Sequence, residues 1–373
     1  MNQRYVIIVC VIALVLAGGA FYFWREQKND SGVYLAPLSR ENIDRAIDRG
    51  LTFIEEQQQS DGGFLLYVCD VTEPERCDSI QSAVHTAGVI APLWPLRENT
   101  RVHKIVEKAK QFILENMETT PDGKHAVWNL FGKKDKRHDR IPADIDSTSF
   151  VAITLKKYGV SFPDDTSALE RYKNDGGLFY NWISDTWNKD EKSRHSFGGG
   201  SVGDYPDKNY FGVDCVVNAD TLSYLSYVGK ESPEICQYIN NVVENKLYPQ
   251  CTFYYRNPYL FALAVISGNK DYRVSCTTSS LPKLQDFLTI QEKEDGTWSA
   301  NIFSNIIATI ALLEIGNQGE KVDMAVKQIL EKQSEDGEWP TANVFPDLYN
   351  PVFYGSEAIT TATALSALFL YNK

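Results

Sequence analysis

The stretch PADIDSTSF at residues 142–150 sets two carboxylates, Asp144 and Asp146, behind a proline and directly ahead of an apolar run. Two readings are open. The pair is either the polar start of a helix, both carboxylates favouring its positive end, or an acid site. If both residues are helical, their side chains lie about 200° apart around the axis and cannot share a face. One arrangement accommodates both: Asp144 caps the helix while Asp146 points inward from the first turn. Asp146 is then the candidate acid and Asp144 the residue that fixes the helix start.

Other chemistries find less footing. There is no CxxC pair and the five histidines are scattered, so no zinc site is expected. The Gly-rich segment HSFGGGSVGDYPDKNYFGVD (195–214) lacks the Lys-Ser/Thr ending and the preceding strand that a P-loop needs. It reads as a lid over a site or as a passive connection. Phe179, Tyr180, Trp182 and Trp187 of FYNWISDTW line an apolar or sugar-binding surface, or simply pack. With 37 Lys+Arg against 49 Asp+Glu, and KKDKRHDR (133–140) as the longest basic run, a nucleic-acid partner is excluded.

The elements that position these residues follow from a repeat. FIEEQQQSDGGF (53–64), FLTIQEKEDGTW (287–298) and ILEKQSEDGEWP (329–340) share an apolar helix end, Gln, a spacer, Asp-Gly, any residue and an aromatic. RYKNDGGLF (171–179) is a weaker copy and TTPDGKHAVW (119–128) a degenerate one. The Asp positions 61, 122, 175, 295 and 336 give a unit of about 40 to 60 residues. A helix ends, Asp-Gly turns the chain, and the aromatic packs back on the next layer.

After the copies come six strongly apolar helical stretches, at 82–96, 144–160, 214–230, 257–269, 301–317 and 355–372. Between them lie amphipathic, charged segments at 40–57, 101–117, 232–247, 281–293 and 320–333. A helix apolar nearly all round is buried, and one with a charged face lies outside. The alternation predicts an all-α (α/α)6 toroid of six inner and about six outer helices over residues 32–373, with no linker dividing it. If the inner helices all start at one mouth, that mouth receives His85, Asp146, Asn218, Asp220, Tyr259, Asn305 and Glu357. Polar residues on apolar helices need partners or a purpose, so the group is either a ligand site or ordinary capping and buried hydrogen bonding.

Residues 1–31 form a separate segment. From Val6 to Trp24 run 19 uncharged residues, enough to span a bilayer core. The run is a signal peptide cut near Ala17–Ala20, or an uncleaved anchor ending in Phe21, Tyr22, Phe23 and Trp24; its length favours the anchor. Apart from Cys10 there are six cysteines, including the short-range pair Cys69 and Cys77. An even count fits disulfides in an exported, periplasmic or extracellular domain; a cytoplasmic-facing domain with buried thiols is the alternative.

On the Gln and Asp-Gly-x-aromatic repeats and the six-fold alternation, residues 40–373 resemble the terpenoid cyclase and protein prenyltransferase superfamily. YGSEAITTATALSAL (354–368) and DCVVNADTLSYL (214–225) are similar to inner helices of uncharacterised bacterial members. DIDST resembles the Asp-x-Asp-Asp-Thr motif of class II cyclases, squalene-hopene cyclase among them, which start cyclisation by protonating an alkene or epoxide. The match implies Asp146 as proton donor, Asp144 as the first acid, and Ser147 in place of the last acid. An alkene is a poor base, so such a donor needs a dry pocket whose aromatic faces stabilise cations.

The chain departs from that pattern in having one helical domain where class II cyclases usually have two. It also lacks the Asp, Cys and His zinc triad of prenyltransferases and any Asp-Asp-x-x-Asp motif. The resemblance implies a toroid that binds or cyclises an isoprenoid or similar apolar lipid, with no metal or cofactor required, and the apolar run adds a membrane anchor to it. Two other readings stand beside it. One is an exported glycan hydrolase or lyase pairing Asp146 with Glu357 or Asp220, whose separation would set the stereochemical outcome; the other is a binding module without catalysis.

Overall fold

A computed structural model of the protein describes residues 38–73, 76–185, 213–252, 254–293, 295–347 and 351–373. The apolar run Val6–Trp24 with Cys10, the Gly-rich segment up to residue 212, and Trp187 lie outside the described residues. Contacts divide the chain into two units at Ser39/Arg40, and the described helices and strands all belong to the unit Arg40–Lys373. No helix among the described residues is long and apolar enough to cross a membrane.

In chain order the helices are α1 (Arg40–Gln57), α2 (Ala83–Ile90), α3 (Thr100–Glu115), α4 (Ile145–Lys157), α5 (Cys215–Tyr227) and α6 (Pro233–Glu244), then α7 (Pro258–Tyr272), α8 (Leu281–Gln291), α9 (Ile302–Ile315), α10 (Glu320–Glu331) and α11 (Glu357–Tyr371). Helices α2, α4, α5, α7, α9 and α11 pack side by side, each on the next, and α11 returns to α2 to close a ring. Their middles are apolar or small on all sides, as in Phe303–Leu312 of α9 and Ala358–Leu368 of α11, which are buried throughout. The amphipathic helices α1, α3, α6, α8 and α10 wrap the ring outside and bury only one stripe each, such as Val102, Ile105, Val106, Ala109, Phe112 and Ile113 of α3.

Between α4 and α5 the described residues include a 3-10 segment, Thr166–Tyr172, and among the described residues five outer α-helices are complete. One feature, the presence of strands, differs from the sequence expectation. The chain is not purely α. Strands β1 (Leu65–Asp70), β2 (Cys77–Gln81), β5 (Phe345–Pro346) and β6 (Val352–Gly355) form an antiparallel sheet in the order β2-β1-β6-β5, with a small β3 (Glu118–Thr119) and β4 (Ala126–Val127) pair elsewhere. The segments feeding the inner helices carry too little apolar alternation to announce these strands.

The repeat has a consistent hydrogen-bond logic. Gln58 donates to the carbonyls of Gly62 and Ile105, at 3.0 and 2.9 Å, tying the end of α1 to its own turn and to α3. Gln333 does the same with Gly337 and Ala46, at 2.9 and 2.8 Å, and so joins the last outer helix to the first. The indoles of Trp128, Trp298 and Trp339 donate to carbonyls of Ile113, Leu288 and Ile329 at the end of the preceding outer helix. Gly337 holds φ +97°, and a Cβ there would lie 2.6 Å from the Arg49 carbonyl oxygen, so the turn excludes any other residue.

The six cysteines after Cys10 pair as Cys69–Cys77, Cys215–Cys251 and Cys236–Cys276. The first links β1 to β2; the second fastens the start of α5 to the helical turn Tyr248–Cys251 ahead of α7.

Candidate active site

A cavity of about 310 Å³ runs along the inner ring. Each inner helix gives it one stripe at helical spacing: Asp146, Phe150, Ile153 and Lys157 from α4, Leu260, Ala264, Ser267 and Asp271 from α7, and Phe303, Ile307, Ile310 and Glu314 from α9. The walls are mostly aliphatic and aromatic. Near the helix starts the cavity is lined by Leu66 of β1, Phe345 of β5, Leu130 and Tyr255, so the sheet and loops cover the end at which Asp146 sits.

Asp144 is the N-cap of α4: Oδ1 accepts the Ser147 N–H at 2.6 Å and Oδ2 the Ser147 hydroxyl at 2.8 Å. Asp146, two residues on, lines the cavity. Its Oδ2 accepts a hydrogen bond from the Tyr255 hydroxyl, while Oδ1 is buried with no partner among the described residues. Asp214, the N-cap of α5, receives the N–H groups of Val216, Val217 and Tyr254 at 2.7, 3.3 and 2.9 Å. Asp220 lies one and a half turns into α5 and also lines the cavity.

Two carboxyl groups, Asp146 and Asp220, thus stand on the wall of a largely apolar chamber, with the capping acids Asp144 and Asp214 close enough to feel the charge of Asp146. Burial pushes Asp144 up to about 7, helped by the charge of Asp146 and opposed by the bonds from Ser147. Asp214 is pushed to about 7 in the same way. Burial raises Asp146 against the opposing Tyr255 bond, and raises Asp220 well above the usual carboxylate range with help from Asp146 and Asp214. Like charges in a dry site cannot all ionise, so the group retains protons near neutral pH. Because Tyr255 donates to Oδ2, a proton on Asp146 resides on Oδ1, the oxygen with no partner. Tyr255 itself is held far above ordinary phenols by burial and by Asp146, and stays a donor.

The other predicted residues divide. His85 and Ser147 line the same cavity. His85 Nε2 lies 2.9 Å from Ser356 Oγ, and burial lowers its pKa to about 3, so the ring is neutral. Asn218, Tyr259, Asn305 and Glu357 are not among the lining residues. Asn218 accepts from Phe179 N–H at 3.0 Å and donates to the Phe179 and Asp214 carbonyls; Asn305 accepts from Trp298 and Ser299 and donates to Ser299. Both amides hold the turn aromatic of the repeat, as do the hydroxyls of Thr86, Thr148 and Thr361 for Phe64, Trp128 and Trp339. Tyr259 stacks on Phe287 of α8, and Glu357 accepts from the Thr341 hydroxyl. Phe179 and Trp182 are buried in packing away from the cavity.

Asp214 and Tyr255 do not stand out in the sequence as site residues. Asp214 carries a signal, an Asp opening an apolar helical stretch as Asp144 does. Tyr255 carries none, since only the ring brings it to a residue 109 positions away.

No protein-family model matches the sequence, and no curated protein matches it. Solved structures do. A variant of MstE, a type II terpene cyclase from Scytonema, in complex with its substrate geranylgeranyl dihydroxybenzoate, aligns with a TM-score of 0.65 at 14% identity, over 89% of this chain and 98% of that one. ent-Copalyl diphosphate synthase from Streptomyces platensis aligns at 0.51 and 13%, over 78% of this chain and 50% of that one. An unsaturated glucuronyl hydrolase specific for heparin aligns at 0.55 and 12%, over 89% and 97%. At such identities the likeness is one of fold: the chain is a terpene cyclase-like α/α toroid, an architecture that a glycan hydrolase also uses.

Proposed function

We propose that the protein is a class II terpene cyclase-like enzyme that closes rings in an isoprenoid held in the central cavity, with Asp146 as proton donor. The observation that carries this reading is the state of Asp146: one oxygen engaged by Tyr255, the other buried, without a partner among the described residues, and the side chain on the wall of an apolar chamber. The carboxyl proton adds to a terminal alkene or opens a terminal epoxide. Internal double bonds capture the cation as rings close, and the last cation gives up a proton. An alkene substrate and its product are then isomers, with no oxidant or reductant involved. Phe150, Phe303 and Phe345 supply aromatic faces for the positive charge. Ser147, where the class II motif has a third acid, serves the Asp144 cap; Asp220 of the adjacent helix supplies a further carboxyl in space.

The glycan reading is less well supported, since Glu357 bonds Thr341 and does not line the cavity, which leaves only Asp146 with Asp220 of the pairings it offered, on walls that are mostly aliphatic and aromatic between the two polar ends. Anchoring through Val6–Trp24 and export of the toroid belong to the same proposal; three disulfides fit an oxidising compartment.

The test is to incubate the full-length protein with linear isoprenoids of differing length and head group and to analyse products by mass spectrometry. Cyclic isomers that vanish with Asp146→Asn, while the substrate still binds, support the proposal. Product formation untouched by that substitution, or recovery of a bound oligosaccharide in place of lipid, refutes it.

A further inference from the structure

The far end of the cavity is polar in a different way. The α4 stripe runs from Asp146 to Lys157, eleven residues further on, or about 16 Å at the helical rise; the stripes of α7 and α9 finish beside it at Asp271 and Glu314. Lys157 Nζ donates to Asp271 Oδ2 at 3.1 Å and to the Tyr272 hydroxyl at 3.3 Å. It also lies over the rings of Trp94 and Tyr272, 5.1 and 4.8 Å from their centroids. Ser267 Oγ donates to Glu314 Oε2 at 2.6 Å. The Asp271 side chain is 35% exposed, so this collar reaches solvent where the Asp146 end is covered.

Lys157 is the one Lys or Arg on the cavity wall among the described residues, and it is already engaged. Lys157 is paired with Asp271, Arg97 with Glu98 at 3.5 Å, and Lys270 donates to the Glu314 carbonyl at 3.1 Å beside that residue's own carboxyl. A dianionic head group would meet Asp271 and Glu314 and would have to break the Lys157 pair, leaving a carboxylate facing it. A hydroxyl can donate to either carboxyl group and accept from Tyr272 or Lys157.

We propose that this collar is the head-group subsite, and that it takes an isoprenoid ending in an uncharged hydroxyl, an alcohol or phenol, rather than a diphosphate. The assignment rests on the cavity being an isoprenoid site. It agrees with the chemistry there, because protonation at Asp146 begins at the tail of the chain and places the head at the opposite end. Burial and Asp271 push the Glu314 carboxyl up to about 7, which further suits it to a neutral partner.

Binding of geranylgeraniol and of geranylgeranyl diphosphate to the full-length protein, by equilibrium dialysis with mass-spectrometric detection, tests this. The alcohol is expected to bind at least about tenfold tighter. Asp271→Asn and, independently, Glu314→Gln should each shrink that ratio several-fold by easing entry of the anion. Should the diphosphate bind as tightly as the alcohol, or both substitutions leave the ratio unchanged, the collar assignment fails while the isoprenoid reading stands. If neither probe binds, the isoprenoid reading falls and takes the collar with it.

Discussion

Asp144 and Asp146 stand two residues apart and have different partners. The first spends both oxygens on Ser147, and the second keeps one oxygen without a partner among the described residues. Asp146→Asn should therefore cost about 10²–10⁴ in turnover, the range of a positioned general acid, with little loss of binding; parallel product and dialysis assays would show it. The acid is active when protonated, so activity should fall as pH rises through its pKa. Tyr255→Phe removes a bond that favours the ionised form, so the falling limb of the pH profile should move to higher pH. Asp220 gives a stability test. Its carboxyl is raised on folding, so the folded state holds a proton that the unfolded chain releases above its ordinary pKa. Stability from this group is thus lost as pH rises from the unfolded value toward the folded one, and Asp220→Asn should raise the melting temperature at pH 8 by about 2 °C or more while changing little at pH 4. Of this site the sequence makes Asp144, Asp146 and Asp220 legible, because acids in apolar helices are conspicuous. It does not disclose that Tyr255 completes the site, a fact of ring closure rather than of local pattern.

At the level of elements, periodicity carries most of the information. All six inner helices begin within two residues of the apolar stretches that predict them, and α1 spans the predicted 40–57. The strands are not legible, since β1, β2 and β6 draw their order from pairing with one another across the chain. Asn218 and Asn305 show the opposite error. Their position near the start of apolar helices suggests a ligand site, whereas they saturate the backbone of the repeat turn. Asn305→Ala leaves the Trp298 and Ser299 N–H groups and the Ser299 carbonyl without that partner. It should destabilise the protein by about 2–4 kcal/mol in denaturant titration, while changing the relative affinities of isoprenoid ligands very little.

At the level of the whole molecule, the Cys215–Cys251 bond connects the start of α5 to the segment that presents Tyr254 to Asp214 and Tyr255 to Asp146. A crosslink of this separation stabilises by about 4 kcal/mol on chain-entropy grounds. Replacing both cysteines with serine should lower turnover more steeply than the Cys236, Cys276 double replacement, measured at a temperature where both variants are folded.

The closure of the ring carries a consequence for how the protein is made. Open arrays of helical repeats grow by addition, each new unit resting on a finished neighbour. Here Gln333 reaches back to Ala46, and α11, made after the other helices of the ring, is the wedge between α9 and α2. A chain halted before Ser356 has most of its wall but no enclosed chamber, and leaves apolar flanks of α2 and α9 without their partner. Synthesis is therefore all or nothing for this fold, and the exposed flanks of an incomplete chain are where a chaperone would have to act.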